Sequence, residues 1–327
     1  LKADSLLHKL NTGANKPKVI GMETIYSAKS DSYAGVFIEN AKKFDNLVFA
    51  DSLEKYDPET DGFQSVYKSC DTIPPYIPTG FKNILTNLSK EHFTVREYHP
   101  SLAAGGVTVE SFSSQVVKKY DTNAYNALKS RGNDIETINY KGGSFSELDY
   151  ETIMSEGHRV DFRDKIVLIG NYYKDKNEFT SCVLSDLYFT PMNDRYSGKA
   201  FPDMYGVEIQ ANIISMVLDK EFFTIVPKIF NYLLAIFFVY MNMVVFTYIT
   251  VKNKKLYELL NLLIFVVESL GIFYISGLLH FGYRIDVDFT PAIFAIILSI
   301  FAFEGYNESL KPLAIQFYYK FLKRGGQ

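Results

Sequence analysis

Three long apolar segments occupy roughly the last hundred residues of the chain, behind a first part of more than two hundred residues with the mixed composition of a soluble domain. Such runs belong in a bilayer, where a helix satisfies its own backbone polar groups and no water is needed. Ile229 to Val251 carries no formal charge over about 23 residues, and at ~1.5 Å rise per residue it exceeds the ~30 Å hydrocarbon core. Leu259 to His280 follows with a single acid, Glu268. Phe289 to Phe303 is shorter, but Gly305 and Tyr306 extend it, and slight thinning of the bilayer lets it span. Lys252, Lys254 and Lys255 separate the first two segments, and Lys311, Lys320, Lys323 and Arg324 follow the third. The connection from His280 to Asp288 sets only Arg284 against Asp286 and Asp288. The positive-inside rule then puts the lysine loop and the C-terminus in the cytoplasm, and three crossings put the N-terminal part outside. The expected divisions are an extracytoplasmic domain over 1–225, a transmembrane region over 226–306 and a cytoplasmic tail over 307–327, in a bacterial inner membrane.

A hydrophobic share of 47% beside 22% charged residues is the average of two unlike parts, and a net charge of -3 selects no partner. No basic run interleaved with aromatics occurs before residue 220, which argues against a nucleic-acid surface. The two cysteines, Cys70 and Cys182, are too few for a disulfide scaffold, although an oxidising compartment leaves a bond between them open. The chain begins at Leu1 without a signal peptide, so it reads as a fragment or mature form whose export signal, a further membrane helix, lies upstream.

Within the first part, Lys16 to Met22 and Asn46 to Ala50 read as buried strands, and Ser32 to Phe44 spaces Val36, Phe37, Ala41 and Phe44 as a helix. Strand, helix, strand with a crossover of this length suits parallel pairing, and the expected fold is therefore α/β, mostly parallel with flanking helices. Asp51 to Gly80, rich in Asp, Pro, Gly and Ser, reads as an excursion outside the core. Phe93 to Tyr98 reads as an edge or hairpin strand, Gly105-Gly106 as a turn, and Val109, Phe112, Val116, Val117 and Tyr120 as one helical periodicity. Asp134 to Tyr140 and Lys165 to Gly170 are further strands, the latter the clearest in the chain. Gly206 to Leu218 is an amphipathic helix leading almost directly into the first span.

Asp164-Lys165-Ile166-Val167-Leu168-Ile169-Gly170, then Asp186 to Thr190-Pro191, then Tyr205-Gly206-Val207-Glu208-Ile209-Gln210-Ala211-Asn212, in this order and followed by three spans, resemble the CHASE type 2 family of extracellular sensory domains. Pro17 to Gly21, Asn46 to Val48, Arg96 and Ile138 to Gly142 also look like that family's strands and turns. The resemblance implies an extracytoplasmic sensor without catalytic residues or cofactor. Two departures stand out: Gln210 occupies a position where the family usually has histidine, and Asn171 to Asp175 replaces a glycine-rich turn. About twenty residues after the last span leave no room for a cyclase or kinase, so a sensor of this kind is expected to signal through a separate protein partner or as a homo-oligomer.

Asn171, Asp186, Thr190 and Glu208 lie at or after the carboxyl end of the signature strand, where open α/β sheets gather ligand-binding loops, and they are the candidate pocket for a small ligand of unknown kind. A second reading has Asp186 and Thr190 cap a turn before Pro191, with Glu208 favouring a helix dipole. His8, His92, His99 and His158 have no metal-ligand spacing, and no catalytic constellation or phosphate-binding glycine frame is present. Among the spans, Glu268 and Asn242 fall at depths about one helical turn apart, which predicts an interhelical hydrogen bond. Beside the sensor stands a different class, a structural or assembly subunit of an envelope complex. A transporter would have only Glu268, Asn242 and Asn231 for a polar route.

Overall fold

The computed structural model describes residues 2–25, 32–57, 62–68, 73–85, 94–142, 145–156, 160–173, 186–193, 201–252 and 254–324. Cys70, Cys182 and Asp175 lie outside them. The chain divides into two units, Leu1–Phe222 and Phe223–Gln327.

The first unit begins with α1 (Lys2–Asn11), β1 (Val19–Met22) and α2 (Ser32–Ala41), followed by β2 (Leu47–Asp57), β3 (Gly62–Tyr67) and β4 (Thr79–Phe81). β5 (Glu97–Tyr98), β6 (Ser101–Ala104) and β7 (Val107–Glu110) precede α3 (Phe112–Tyr120) and α4 (Thr122–Ser130). β8 (Glu136–Thr137), α5 (Tyr150–Glu156), β9 (Ile166–Ile169), β10 (Leu187–Tyr188), β11 (Met204–Tyr205) and α6 (Gly206–Asp219) complete it. β4, β2, β1 and β9 lie side by side in that order, all parallel, and form the parallel part of a seven-stranded mixed sheet that β9 ends. The far half of β2 turns back into β3, antiparallel, and the β6–β7 hairpin extends that flank. The hairpin closes through Gly105 and Gly106 at φ +58° and +78°, a left-handed pair that two-residue hairpins require.

Alternation along β1 and β2 builds two cores. Val19, Val48 and Ala50 face Phe112, Val116 and Val117 of α3, Leu128 of α4 and Ile209, Ile213 and Val217 of α6. Ile20, Met22, Leu47 and Phe49 face Leu6, Leu7 and Leu10 of α1, Phe37 and Ile38 of α2 and Ile153 of α5. The result is three layers, helices on both faces of the sheet, as parallel strands buried on both sides demand. Glycine decides how near α3 comes: a Cβ on Gly80 would stand 2.7 Å from the backbone of Ser111 and Phe112.

Three expectations need correction. The stretch from Asp51 to Gly80 is not wholly an excursion: β2 runs on to Asp57, β3 pairs with it, and Asp51 and Leu53 are buried. The charged residues Glu54, Lys55 and Asp57 on its solvent side hide the strand from a hydrophobic pattern. Val109, assigned to a helical periodicity, lies in β7, and the helix starts only at Phe112, where Ser111 accepts the Ser114 amide and so caps it. The strand expected over Asp134 to Tyr140 shortens to β8. Lys165 to Gly170, the clearest strand in the sequence, forms β9 at the end of the strand path and is only half-buried.

In the second unit α7 (Lys228–Lys252), α8 (Lys254–Gly277) and α9 (Thr290–Gly305) follow a short strand β12 (Thr224–Ile225). Three helical stretches, Lys228–Lys252, Leu260–Gly282 and Thr290–Phe317, are long and apolar enough to cross a membrane. The third continues past Tyr306 through a π-helical turn into α10 (Lys311–Arg324), so the helix runs on beyond the boundary at 306 placed from the sequence. Between the second and third stretches, β13 (Ile285–Asp286) pairs in parallel with β12, and Phe223 stacks on His280 at 4.7 Å between ring centroids.

Candidate functional site

Strand order fixes where a crevice forms. From β1 the chain crosses through α2 to β2 and then to β4 on one side, whereas β9 lies against β1 on the other, so the order reverses between β1 and β9. At such a switch point the connections leave toward opposite faces and open a gap at the carboxyl ends of the strands.

Glu23 occupies that gap. It directly follows β1, its amide donates to Ile169 O at 2.8 Å, and its side chain is 2% exposed. Lys82, just past the end of β4, brings its Nζ to 3.5 Å from Glu23 Oε1. Asp186 arrives from the other direction. The antiparallel pairing of β10 with β11 sets Leu187 opposite Tyr205, which holds Asp186 beside the first turn of α6, where the Gly206 amide donates to Asp186 O at 3.0 Å. A Cβ built on Gly206 would lie 2.9 Å from Asp186 Oδ1 and 3.2 Å from Glu23 Oε1, so both carboxylates converge on one point of backbone. A Cβ on Gly170, at the end of β9, would lie 2.6 Å from Glu23 Oε2. Glycine at these two positions is what lets the acids reach the backbone.

The electrostatics follow from burial. Desolvation pushes the Glu23 carboxyl up to about 7, with Lys82 pulling it back down and Asp186 adding to the rise. Desolvation also raises Asp186, against the attraction of Lys82 and a hydrogen bond from Tyr188. Burial and the neighbouring acids push the Tyr188 phenol up to about 12. Glu23 Oε2 and Asp186 Oδ2 are both buried without a hydrogen-bond partner among the described residues. Two acids against one lysine leave the site short of positive charge.

The four residues selected from the sequence fall in different places. Asp186 is part of this cluster. Asn171 is exposed just beyond β9. Thr190 is buried with its amide on Asp203 Oδ1 at 2.8 Å and its hydroxyl on Asp203 Oδ2 at 2.5 Å, which forms a polar knot at the turn. Glu208 Oε2 accepts the Tyr205 amide at 2.8 Å and so closes the start of α6. Gln210, at the departure from the family pattern, accepts from Ser113 Oγ and donates to Lys82 O at 3.1 Å, which ties α6 to α3 and to the end of β4. Sequence reasoning missed Glu23, Lys82 and Tyr188. The available signal was an acid immediately after the apolar run of β1, at a strand end where a solvent-facing residue is the common case.

A cavity of about 20 Å³ bounded by Phe81, Tyr98, Ile209 and Gln210 holds one water at most. A wider groove of about 720 Å³, lined in part by Tyr76, Pro78, Lys118 and Lys119, lies by the C-terminal turn of α3, away from the carboxyl edge of the sheet. Among the described residues no group of three or more His, Cys, Asp or Glu gathers to hold a metal ion.

In the helical unit Asn242 Nδ2 donates to Glu268 Oε2 at 3.1 Å and contacts Ser299 Oγ at 3.4 Å. Ser299 in turn donates to Ile296 O at 2.7 Å, so all three apolar helices meet at one polar rung. A second rung joins Asn261 Nδ2 to Glu304 Oε1 at 3.2 Å. The sequence reading weighed Glu268, Asn242 and Asn231 as the polar groups of the spans and passed over Asn261 and Glu304.

Comparison with known proteins gives one family. The family model described as CHASE2 domain matches residues 2–245, which takes in the sheet unit and most of the first apolar helix. No curated protein and no solved structure matches the chain.

Proposed function

This chain belongs to the CHASE2 domain family, a family of extracellular sensory domains, and from that premise we propose that it is a membrane-anchored sensor whose stimulus is received at the β1–β9 crevice. The observation that carries the reading is the buried Glu23–Asp186–Lys82 cluster held against the first turn of α6. That helix ends at Asp219, and the first apolar helix begins at Lys228, so the segment that closes the crevice is also the one that leads to the membrane. A change in the crevice that moves α6 is then passed along the chain to the spans and on to a protein partner or a second copy. The protein acts by binding rather than by catalysis.

The lysines at 252, 254 and 255 support a cytoplasmic first loop, with residues 1 to about 225 outside an inner membrane and the C-terminus inside. Single cysteines at Lys141 and Asn253, in a background with Cys70 and Cys182 replaced by serine, test this with an impermeant thiol reagent on intact cells. Labelling at Lys141 alone supports the orientation, and labelling at Asn253 alone reverses it. For the crevice, Asp186→Asn in the full chain should weaken or shift the response of a reconstituted reporter to its stimulus while leaving expression and membrane insertion intact. An unchanged response would remove the crevice from the mechanism.

A further inference from the structure

The crevice is unusual in being charged and closed. Glu23 is 2% exposed, its Oε2 is packed toward Gly170, and its Oε1 faces Lys82 and the Gly206 backbone. Neither carboxylate lines the cavity of about 20 Å³ or the groove of about 720 Å³, and the oxygens of Glu23 are packed against Gly170, Gly206 and Lys82. Yet each acid keeps one buried oxygen without a partner among the described residues, an arrangement that is costly for a charged group. A ligand that neutralises the pair must be positive and must need almost no volume.

We propose, on the reading of the crevice given above, that the ligand of this site is the proton, and that Glu23, set against Asp186 and Lys82, makes the domain a sensor of external acidity. The groups that face Glu23 are Lys82 from the end of β4, Asp186 and Tyr188 from the β10 arm, and the first turn of α6, where Glu208 is engaged by the Tyr205 amide. From β2, buried Asp51 accepts the Lys82 amide at its carbonyl at 2.9 Å and fixes the base of that lysine. With Glu23 protonated, one acid and one lysine balance. With Glu23 ionised, two carboxylates confront one lysine across the Gly206 backbone, and their repulsion acts on the segment that joins β11 to α6. Burial places this change near pH 7, within the range an external compartment visits. The proton goes to and comes from solvent, and no covalent bond is made.

Hydrogen exchange of the full-length protein in lipid nanodiscs, corrected for intrinsic exchange and run from pH 5.5 to 8.5, tests the proposal. Protection of the Tyr205–Ile209 amides should fall at least about tenfold as pH rises through the Glu23 titration. Glu23→Gln should hold the protected state at every pH. Lys82→Met should move the midpoint up, since the lysine lowers the Glu23 pKa, and Asp186→Asn should move it down and shrink the change, since ionised Glu23 then meets no second carboxylate. The Asp186→Asn shift keeps the proposal testable if Glu23→Gln fails to fold. Protection that is independent of pH in the wild type, or a transition that survives Glu23→Gln, overturns the proton. If, in that case, magnesium or calcium chloride at pH 8 restores protection through Asp186, the crevice reading stands with a different ligand. If neither pH nor cations change these amides in any variant, both the proton and the crevice fall.

Discussion

Glu23 and Glu268 are carboxylates withdrawn from bulk water, one in the sheet unit and one among the apolar helices, and the company each keeps differs in kind. Glu23 faces a lysine at 3.5 Å and a second acid. Glu268 faces a neutral amide at 3.1 Å, itself in contact with a serine hydroxyl. Burying two ions together carries a desolvation cost that their attraction only partly offsets, and the sheet unit meets it by leaving Lys82 23% exposed so that its ammonium keeps some water. Hydrocarbon offers no such access, and neutral donors carry the load instead. On the proton proposal the first arrangement responds to a change of charge, whereas the second ties helix faces together.

Four measurements can break or sharpen that contrast. Gly80→Ala tests the rigidity on which the sheet site depends: its Cβ would stand 2.7 Å from α3 backbone, and since backbone cannot rotate aside, unfolding of the sheet unit should become easier by about 3 kcal/mol. A loss below about 1 kcal/mol in chemical denaturation would mean that α3 yields readily.

The pH dependence of stability comes next. Glu23 rises from an ordinary value of 4.5 to about 7 in the folded state, so between those values the native protein binds more protons than the unfolded chain. Its contribution is therefore fully present below about pH 4.5 and is lost by about pH 7, a decline of about 3 kcal/mol that Glu23→Gln should flatten. A denaturation midpoint that rises over this window would contradict the charge-responsive reading.

Thr190→Val removes the hydroxyl bond to Asp203 while keeping shape, and should cost about 1–2 kcal/mol without altering the pH midpoint. If the midpoint moves, the knot at Thr190 and the cluster at Glu23 are one site rather than two.

The smallest effect belongs to the spans. Glu268→Leu should loosen helix packing by about 0.6 kcal/mol, the average for such bonds, and Glu268→Gln should lose less because it keeps an acceptor for Asn242. Steric-trap unfolding in bicelles resolves the pair, and equal losses would show that the charge, not the hydrogen bond, matters at that rung.

The contrast also explains how much the sequence disclosed. Apolar length announces a span, so the three helices and the α/β class of the sheet unit were legible, and depth arithmetic alone set Asn242 near Glu268, where the structure has the amide donate to the carboxylate. Glu304 escaped because it follows the unbroken apolar run that ends at Phe303, and its partner Asn261 sits near the start of the second run, where nothing in the sequence pairs the two. In the sheet unit, β1 and β9 showed themselves by unbroken apolar runs, while the second half of β2 was hidden by its charged solvent face. Glu23 was missed for a deeper reason: its burial depends on Gly170 and Gly206, which lie far along the chain and clear its space only once β9 and α6 are docked. Asp186 was selected by position, but Glu23, Lys82 and Tyr188, which the structure sets around it, were not.

The parallel pairing of Thr224–Ile225 with Ile285–Asp286 works as a yoke. It binds the entrance of the first apolar helix to the entrance of the third, and the stacking of Phe223 on His280 adds the exit of the second. A tug delivered at Thr224 is thus shared by three helix ends at once and cannot draw out a single rod. On the sensor proposal, what would travel onward is a tilt or rotation of a harnessed trio, a form of signal suited to a receiver that reads orientation rather than height.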